Sequence, residues 1–255
     1  LLYNCGECYY CRTGHANLCE RAQKKPVREG LLIGPGGLCD YVIVNTGYLF
    51  KIPDTLSYEE ASLTEPLACV VHSVTKANIQ LGEDVVVIGG GIMGQYHVML
   101  AKRRGARVIM SEVDESRRAL ARKLGADITF NPMEKDPVEY VKSLTEGRGA
   151  DVVFNTTAIP QAIAMTGKAG RMIQYSSMHP DAPAPVSPQM LHGNEPILTG
   201  SISPDVNDFF TANRLLSGGI IDCKPLIAKK FPFEQAQQAF EAAIVPGTFR
   251  VIITD

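Results

Sequence analysis

Four cysteines lie within fifteen residues near the start of the sequence, in the stretch CGECYYCRTGHANLC at residues 5–19. Four thiolates this close can surround one tetrahedral ion, and soft ligands that leave no open position suit a structural Zn²⁺. An iron–sulfur cluster uses similar spacings, but a proline commonly follows its last cysteine, and Glu20 follows here. Disulfides are disfavoured in the cytoplasmic setting that we expect for the chain. The sequence therefore predicts a structural zinc site formed by Cys5, Cys8, Cys11 and Cys19.

A glycine-rich turn with the sequence GGGIMG begins at Gly89 and satisfies the pattern G-x-G-x-x-G. An apolar run precedes the turn and a helical pattern follows it. The first glycine permits the tight turn, the second lets the backbone approach a pyrophosphate, and the third lets the helix pack closely on the strand. Free amides at the helix start would face the phosphate charge. The sequence therefore predicts a dinucleotide site that uses Gly89, Gly91, Ile92, Met93 and Gly94.

An acidic residue, Glu112, ends the next apolar run of the sequence. A carboxylate at this point can accept hydrogen bonds from both hydroxyls of the adenosine ribose, and it would repel a 2′-phosphate. NAD is therefore favoured over NADP, although Arg117 follows closely and a nearby arginine can hold that phosphate. The nicotinamide half should lie along the carboxyl ends of the later strands, where we expect Thr157, Ser176 and Ser201 to bind it.

Short apolar runs separated by helical patterns fill the sequence from residue 85 onwards. Buried runs of this kind, joined by helical crossovers, are typical of a parallel sheet with helices on both faces. The sequence therefore predicts an α/β fold with a doubly wound, six-stranded parallel sheet of the Rossmann type, with strands at residues 85–88, 107–110, 127–130, 151–154, 171–175 and 197–199.

The sequence on either side of this sheet has a different texture. Apolar runs at residues 41–44 and 48–52, each next to a turn, predict a β-rich and irregular amino-terminal part. After the sheet, the apolar periodicity predicts helices at residues 205–217 and 233–243, and the closing run at residues 249–253 predicts a strand.

One crossover of the predicted sheet is unusually short. Pro160 leaves only residues 161–166 as a helical stretch between two strands, whereas a crossover normally has about ten or more residues. We therefore expect that a few residues are missing from the sequence near residues 159–161. The sequence also begins abruptly at Leu1, which indicates an interior start.

Charge and composition narrow the classes of partner. Lysine and arginine total 25 against 27 acidic residues, so the net charge of −2 indicates neither nucleic acid nor an anionic membrane. No apolar run approaches the roughly 20 residues that span a bilayer, and no signal sequence opens the chain. We therefore expect a cytoplasmic protein with a small, weakly charged substrate.

The remaining cysteines stand singly among apolar neighbours and are expected in the core, namely Cys39, Cys69 and Cys223.

The cysteine cluster, Gly36-Gly37 before a strand, the triplet Glu65-Pro66-Leu67 and the glycine turn together resemble the zinc-dependent medium-chain dehydrogenase/reductase family. Within that family the sequence is most similar to the branch of sorbitol, threonine and butanediol dehydrogenases. The resemblance runs along essentially the whole chain. It implies a partial GroES-like, β-rich catalytic domain at residues 1–70 with the zinc lobe at residues 1–25, a dinucleotide-binding domain at residues 71–203, and a return to the catalytic domain at residues 204–255.

The resemblance also implies a role for Glu65, which by itself would more simply be a helix-entry residue or a solvated charge. In the family, the corresponding glutamate lies at the catalytic zinc, as a ligand or through a bound water. That zinc also needs a cysteine and a histidine from a segment before the cysteine cluster, and this sequence contains no such segment. The sequence gives no reason to assign a catalytic role to His15, His72, His179 or His192.

The activity that the resemblance implies is a zinc-dependent, NAD-linked oxidation of a secondary alcohol to the ketone by hydride transfer, with a polyol or sugar alcohol as the substrate. The stretch at residues 201–204 departs from the sorbitol dehydrogenase pattern, so the identity of the polyol stays open. We expect a homo-oligomer, either a dimer or a tetramer.

Three alternatives to this activity follow from the same residues. A threonine-type amino alcohol dehydrogenase is the alternative among enzymes. A non-catalytic nucleotide-binding protein follows if the amino-terminal segment is truly absent. A zinc-ribbon protein that binds nucleic acid would need a basic face, which the nearly neutral charge does not support.

Overall fold

The computed structural model describes residues 4–22, 41, 46–157, 159–177 and 183–254. Four features of the sequence analysis lie outside this part of the chain, namely residues 42–44 of the first apolar run, the pair Gly36-Gly37, Cys39 and His179. Within it, no helix has the length and hydropathy needed to span a bilayer.

The helices of the described residues range from single turns to a helix of 14 residues. In chain order they are α1 (Tyr9–Arg12), α2 (Tyr58–Ala61), α3 (Thr64–Ala77), α4 (Ile92–Arg103), α5 (Glu115–Leu124), α6 (Pro137–Leu144), α7 (Ile159–Met165), α8 (Pro188–Asn194), α9 (Val206–Ser217) and α10 (Ala236–Ala243). Short 3₁₀ turns lie at Ala16–Leu18, Thr46–Tyr48, Lys224–Leu226 and Phe233–Gln235.

The strands of the described residues form one large sheet and one small sheet. They are β1 (Asp84–Ile88), β2 (Arg107–Ser111), β3 (Ile128–Phe130), β4 (Ala150–Asn155), β5 (Thr166–Gln174), β6 (Ile197–Gly200), β7 (Ile227–Pro232) and β8 (Arg250–Thr254). The large sheet has the order β3-β2-β1-β4-β5-β6, and every neighbouring pair is parallel. The predicted six-stranded parallel sheet is therefore confirmed. Its strand order reverses between β1 and β4, which opens a crevice at the carboxyl ends of these strands.

The centre of the large sheet is apolar on both faces, because helices cover both. Every residue of β1 is buried. One cluster of buried side chains includes Val86 of β1, Ile109 of β2, Val153 of β4 and Met165 of α7. Burial of a side chain of this size stabilises the fold by about 1.5–3 kcal/mol, so these contacts give the sheet a rigid frame on which loops at its edge can be held.

Helix α5 has well-defined ends, and these position the residues of its first turn. The side chain of Asp114 accepts a hydrogen bond from the backbone amide of Arg117 at 3.0 Å, which caps the helix start. The helix ends before Gly125, which adopts the left-handed conformation with a φ of 118°. Arg117 is thereby fixed one turn after the carboxyl end of β2.

The short crossover between β4 and β5 takes an unexpected form. Helix α7 has seven residues, and β5 follows at once from Thr166, five residues before the predicted strand start at residue 171. The register between the two strands shifts between Ala150 and Val152, and Ala169 has a positive φ of 55°. The expectation that residues are missing near residues 159–161 stays a prediction.

Contacts between Cα atoms divide the chain into two compact units. The first comprises Leu1–His72 and Ile202–Ile220, and the second comprises Ser73–Ser201 and Ile221–Asp255. In the second unit, β7 and β8 pair in parallel and α10 packs on both. The domain boundaries that the resemblance implied stay a prediction.

The two helices and the strand predicted after the sheet are confirmed, as α9, as the 3₁₀ turn with α10, and as β8. The apolar stretch at residues 48–52, in the part predicted to be β-rich and irregular, forms the end of a 3₁₀ turn and an irregular stretch. The ring of Phe50 stacks on Phe209 of α9, with 5.1 Å between the ring centroids, and the carbonyl of Lys51 accepts a hydrogen bond from Asn213 at 3.1 Å. This segment is apolar because it packs on a helix, not because it joins a sheet.

Candidate functional site

The predicted dinucleotide turn lies at the carboxyl end of β1, next to the point where the strand order reverses. Gly89 has a φ of 95°, in the left-handed region that favours glycine. A Cβ at Gly94 would overlap the carbonyl oxygen of Gly89, so only glycine lets α4 begin this close to the strand. By contrast, no described atom lies within 4 Å of a Cβ built at Gly91. The turn therefore leaves open space beside the first amides of α4, those of Ile92 and Met93, where a phosphate can approach.

Glu112 follows β2 directly and turns its side chain back towards the glycine turn. Its Oε2 accepts a hydrogen bond from the backbone amide of Gly90 at 2.5 Å, and its Oε1 accepts one from the amide of Asp114 at 2.8 Å. A guanidinium nitrogen of Arg117 lies 3.9 Å from Oε2. The structure thus brings together the turn, the carboxylate and the arginine that the sequence analysis had singled out separately.

Thr157, Ser176 and Ser201 lie just after β4, β5 and β6, and so share one edge of the sheet. Polar groups beneath them hold this edge together. Asn155 is fully buried and donates a hydrogen bond to Oε1 of Gln174 at 2.7 Å. The side-chain nitrogen of Gln174 donates a hydrogen bond to the backbone carbonyl of Ser176 at 2.7 Å. The backbone carbonyl of Gln174 accepts one from the backbone amide of Ser201 at 3.0 Å. That these three residues bind the cofactor stays a prediction.

Three polar residues of this region were missed in the sequence analysis. Asn155 is the polar last residue of the mostly buried strand β4, and Gln174 is the polar last residue of β5, directly after the buried Met172 and Ile173. Gln95 follows the third glycine of the turn directly and is buried together with the residues after it in α4. The signal that could have found them is the same in each case, because a polar residue stands where the pattern of buried residues calls for an apolar one.

The four clustered cysteines converge in the first unit. Helix α1 and the 3₁₀ turn at Ala16–Leu18 fold the segment back on itself, so that all four Sγ atoms lie within 4.8 Å of one another. The Sγ atoms of Cys5 and Cys11 are 3.9 Å apart, and a single Zn²⁺ with Zn–S bonds of about 2.3 Å would separate two tetrahedral ligands by about 3.8 Å. All four are free thiols, so the disulfide alternative is wrong for this structure.

The thiols of the cluster are in an environment that suits a metal ion. Hydrogen bonds from the backbone amides of Cys11 and Glu20 lower the pKa of Cys8 to about 6, and such bonds also lower the pKa of Cys5. Desolvation and hydrogen bonds from the neighbouring thiols raise the pKa of Cys11 to about 12. Without a cation, four thiols this close cannot all ionise. The donor set, spacing and charge therefore fit one divalent ion with tetrahedral thiolate coordination.

Glu65 lies in the first turn of α3, with an exposed side chain. The Sγ of Cys69, one turn further, donates a hydrogen bond to Oε1 of Glu65 at 3.3 Å. Burial and the charge of Glu65 raise the pKa of Cys69 to about 12. In the part of the chain that the structure describes, the cysteine cluster is the only group of three or more metal-ligating side chains. These residues do not by themselves form a catalytic zinc site, and the role of Glu65 stays a prediction.

His72 also lies on α3 and makes structural contacts. Its Nδ1 is 2.8 Å from Oδ2 of Asp208 in α9, so this nitrogen donates to the carboxylate. Its Nε2 is 3.4 Å from the side-chain nitrogen of Asn17 and accepts from it. Asn17 donates in addition to the carbonyl of Ile202 at 2.9 Å. The imidazole therefore links α3 and α9 to the cysteine cluster segment within the first unit.

Comparison with known protein families gives two matches that together cover most of the chain. The family described as zinc-binding dehydrogenase matches residues 93–218, and the family described as alcohol dehydrogenase GroES-like domain matches residues 1–54. The first match begins in the glycine turn and ends after α9, and the second includes the whole cysteine cluster.

Individual relatives agree with these families. The D-arabitol-phosphate dehydrogenase of Enterococcus avium is 32% identical, over 98% of this chain and 72% of that protein. The L-threonine 3-dehydrogenase of Caldanaerobacter subterraneus subsp. tengcongensis is 34% identical, over 98% of this chain and 72% of that protein. A zinc-binding dehydrogenase from Sinorhizobium meliloti 1021, solved with NADP bound, is 27% identical with a TM-score of 0.88, over 99% of this chain and 74% of that chain.

Proposed function

Because the chain belongs to the zinc-binding dehydrogenases of the medium-chain dehydrogenase/reductase family, we propose that it catalyses the NAD-linked oxidation of a secondary alcohol to the ketone. The observation that carries this proposal is the contact of Glu112 with the glycine turn at Gly90, at the reversal point of the sheet. Such a pairing of turn and carboxylate suits the adenosine half of a dinucleotide.

The proposed cofactor is NAD rather than NADP. The amides of Gly90 and Asp114 hold the Glu112 carboxylate beside the turn, where its charge favours ribose hydroxyls and opposes a 2′-phosphate. The guanidinium of Arg117 lies close enough to this carboxylate to form an ion pair with it. The guanidinium is therefore less available to bind a 2′-phosphate. When bound, NAD would supply the hydride acceptor for an oxidation that also releases the hydroxyl proton of the alcohol, and no side chain can supply that acceptor.

The chain's own residues bind and orient the two halves of this cofactor. The amides at the start of α4 would receive the pyrophosphate. Thr157, Ser176 and Ser201 would line the nicotinamide half. The hydrogen bonds of the buried Asn155 and the half-buried Gln174 would hold the strand ends beneath them in place. The hydrogen bonds under this edge are already formed, so ligand binding would not have to order it.

Two roles for zinc belong to the proposal. The cysteine cluster would hold a structural ion, since its four sulfur atoms leave no open position for a substrate. Glu65 would be a ligand, directly or through a water, of a catalytic zinc whose other ligands come from outside the described residues. A zinc there would supply Lewis acidity to the substrate oxygen.

The proposed substrate is a polyol or sugar alcohol, and an amino alcohol is the second candidate. The first is supported by the D-arabitol-phosphate dehydrogenase among the relatives, and the second by the L-threonine 3-dehydrogenase. Proteins that are 32% and 34% identical usually share a fold and a cofactor site, but their substrate contacts often differ. The two relatives therefore support a class of substrate and not one compound.

A substrate screen tests the function. The full-length protein, with its zinc content measured on the same sample, would be assayed for NADH formation with polyols, polyol phosphates, diols and amino alcohols. Turnover of polyols supports the proposal, and turnover of amino alcohols alone favours the second candidate. Binding of NADH without turnover of any alcohol, in a sample with both zinc ions, would contradict the enzymatic function and favour a non-catalytic nucleotide-binding protein.

Self-association and cellular location complete the proposal. Strand β6 ends the order of the large sheet, and Ile197 on it is 56% exposed, so this edge can receive a strand from a second copy. We expect a dimer or a tetramer, which sedimentation equilibrium would measure, and a cytoplasmic location. A monomer at micromolar concentration would contradict the oligomer.

A further inference from the structure

A single glutamine joins two parts of the proposed dinucleotide site. Gln95 lies in α4, directly after the glycine turn, and its side chain is fully buried. Its side-chain nitrogen donates two hydrogen bonds, one to the carbonyl of Gly90 at 2.9 Å and one to the carbonyl of Arg117 at 3.0 Å. Gly90 belongs to the turn, and Arg117 belongs to the first turn of α5. One planar group therefore links the two segments through their backbones.

The orientation of this amide follows from its partners. Both partners are backbone carbonyl oxygens, which only accept hydrogen bonds, so the nitrogen must face them. The Oε1 atom is left buried, with no hydrogen-bond partner among the described residues. An unpaired buried acceptor is destabilising, and an apolar side chain of similar size would avoid it. Such a side chain would leave both carbonyls without this donor, so the contribution of the glutamine lies in the two hydrogen bonds that it donates.

The link completes a closed ring of contacts. Gly90 is held on one side by Gln95 and on the other by Glu112, whose Oε2 accepts from its amide. Arg117 is held by Gln95 through its carbonyl, and its guanidinium lies 3.9 Å from the same Glu112 oxygen.

We propose that Gln95 is a positioning residue that sets the distance between the pyrophosphate turn and the pair Glu112 and Arg117. This inference rests on the proposed function, because it takes the turn and the pair as the two contacts of one dinucleotide. The pyrophosphate and the ribose of that ligand are joined covalently, so both contacts are made in full only at one spacing. Without the link, α5 can shift relative to the turn, and the carboxylate then opposes a 2′-phosphate less effectively.

The test is the substitution Gln95→Met, which keeps an unbranched side chain of similar length and removes both hydrogen bonds. The dissociation constants of NADH and NADPH would be measured by fluorescence on the full-length protein. We expect NADH to bind about tenfold more weakly, the loss that corresponds to roughly one net hydrogen bond. Binding of NADPH should weaken less, so that the ratio of the two constants moves towards unity by about threefold or more.

Two further variants separate positioning from general disturbance of α4. Tyr96→Phe removes a buried hydroxyl that has no hydrogen-bond partner among the described residues, and we expect both dissociation constants to stay unchanged. Gln95→Asn keeps the amide on a shorter side chain, and we expect a smaller shift of the same ratio. If Gln95→Met does not fold, the ratio for Gln95→Asn decides the question.

The outcomes distinguish a failure of the proposed function from a failure of the positioning role of Gln95. If wild-type protein binds neither nucleotide, the proposed function fails. If wild-type protein binds NADH but Gln95→Met weakens both nucleotides by the same factor, or lowers only the unfolding temperature, Gln95 is merely structural and the inference is wrong. A changed ratio together with an unaffected Tyr96→Phe variant supports it.

Discussion

His97 is a fully buried histidine in α4, and its contacts define which nitrogen carries the proton. Nδ1 lies 2.8 Å from the carbonyl of Met93, which can only accept, so Nδ1 donates. Nε2 lies 3.0 Å from the hydroxyl of Ser73 and accepts from it. The rings of Phe154 and Tyr175 lie against the imidazole. Burial lowers the pKa of His97 to about 4, because the charged ring would lose its hydration.

From this buried histidine we predict that the free energy of unfolding falls in acid. Since the pKa is lowered on folding, the unfolded chain binds the proton first, and the contribution of the neutral ring is complete above about pH 6.5. It falls as the pH drops towards 4, by roughly 3 kcal/mol in total. Chemical unfolding of the wild-type protein and of the His97→Gln variant, followed from pH 7 to pH 4, checks this slope. The variant should lose less stability over this range.

The matched control for this measurement is His192→Gln, which removes an exposed histidine of α8. Its unfolding free energy should follow the wild-type curve between pH 7 and pH 4. If wild-type protein and His97→Gln lose stability in parallel, the buried ring does not titrate as the structure indicates.

We predict that substitution of Glu112 changes the preference between NADH and NADPH and also lowers the stability of the protein. Both of its oxygens accept hydrogen bonds from backbone amides, so Glu112→Gln would turn an NH₂ group towards one of these donors. We expect this mismatch to lower the free energy of unfolding by about 1–3 kcal/mol. The loss of the negative charge should at the same time bring the dissociation constants of NADPH and NADH closer together. Denaturant unfolding and nucleotide titration measure the two effects.

Glu115→Gln is the control for charge alone. Glu115 is an exposed carboxylate of α5 that pairs with Arg118 and Arg122, and its removal should leave the nucleotide preference unchanged. A preference that shifts equally in both variants would mean that general charge near α5, and not the Glu112 carboxylate, selects the cofactor.

At the residue scale, the sequence pattern predicted the groups that have a local signature. The glycine turn and the cysteine spacing are encoded in a few consecutive residues, and the structure brings Glu112 to the turn as expected. Gln95, Asn155 and Gln174 belong to no such motif, and only their polarity within apolar runs marks them in the sequence. Their partners on other elements are seen only in the structure. Their roles depend on the sheet order, which a single sequence does not encode locally.

At the scale of elements, strand β5 contains a residue in a strained conformation, and we predict that relief of this strain stabilises the protein. Ala169 has a positive φ of 55° in β5 and is exposed. This conformation costs an L-residue about 1–2 kcal/mol, and glycine adopts it freely at some cost in chain entropy. Ala169→Gly should therefore raise the free energy of unfolding by about 0.5–1 kcal/mol, as measured by denaturant unfolding.

Lys168→Gly provides the comparison for this change. Lys168 is exposed and precedes Ala169 in the same strand, so a glycine there brings the entropy cost without relief of strain. We expect it to lower the free energy of unfolding by about 0.5–1 kcal/mol. Equal losses in both variants would show that the left-handed conformation at Ala169 is not strained.

The elements that could be predicted are those whose signal is continuous in the sequence. The strands of the large sheet read as short apolar runs and were found within one residue of their observed bounds, except that β5 begins five residues before its predicted start. Strand β7 was missed because Lys229 and Lys230 interrupt its pattern and are exposed. The element formed by the apolar run at residues 48–52 could not be predicted, because apolar residues that cover a helix look the same in the sequence as those of a short strand.

At the scale of the whole molecule, the two kinds of site belong to different units. The cysteine cluster lies in the first unit, whereas the glycine turn, Glu112, Arg117 and the polar strand ends lie in the second. The contacts that hold the first unit together could not be predicted from the sequence. The first unit is made of two stretches that are far apart in the chain, and their contacts, such as that of His72 with Asp208, join residues without a shared motif.

This division predicts that metal loss and nucleotide binding are independent. Cys11→Ser removes one thiolate of the cluster, and the protein should lose about one equivalent of zinc per chain. The first unit should then unfold at a lower temperature, because metal binding contributes to its folding. The dissociation constant of NADH should stay within about twofold of wild type, since its proposed contacts all lie in the second unit.

Metal analysis, calorimetry and NADH titration on the same samples measure these three quantities. Cys223→Ala, which removes a buried cysteine outside the cluster, should keep the full zinc content and so controls for the loss of a thiol. Calorimetry should resolve a change in one transition, because a chain of two units need not unfold in a single step. A loss of NADH affinity in proportion to the loss of zinc would contradict independence and would mean that the cluster supports the dinucleotide site.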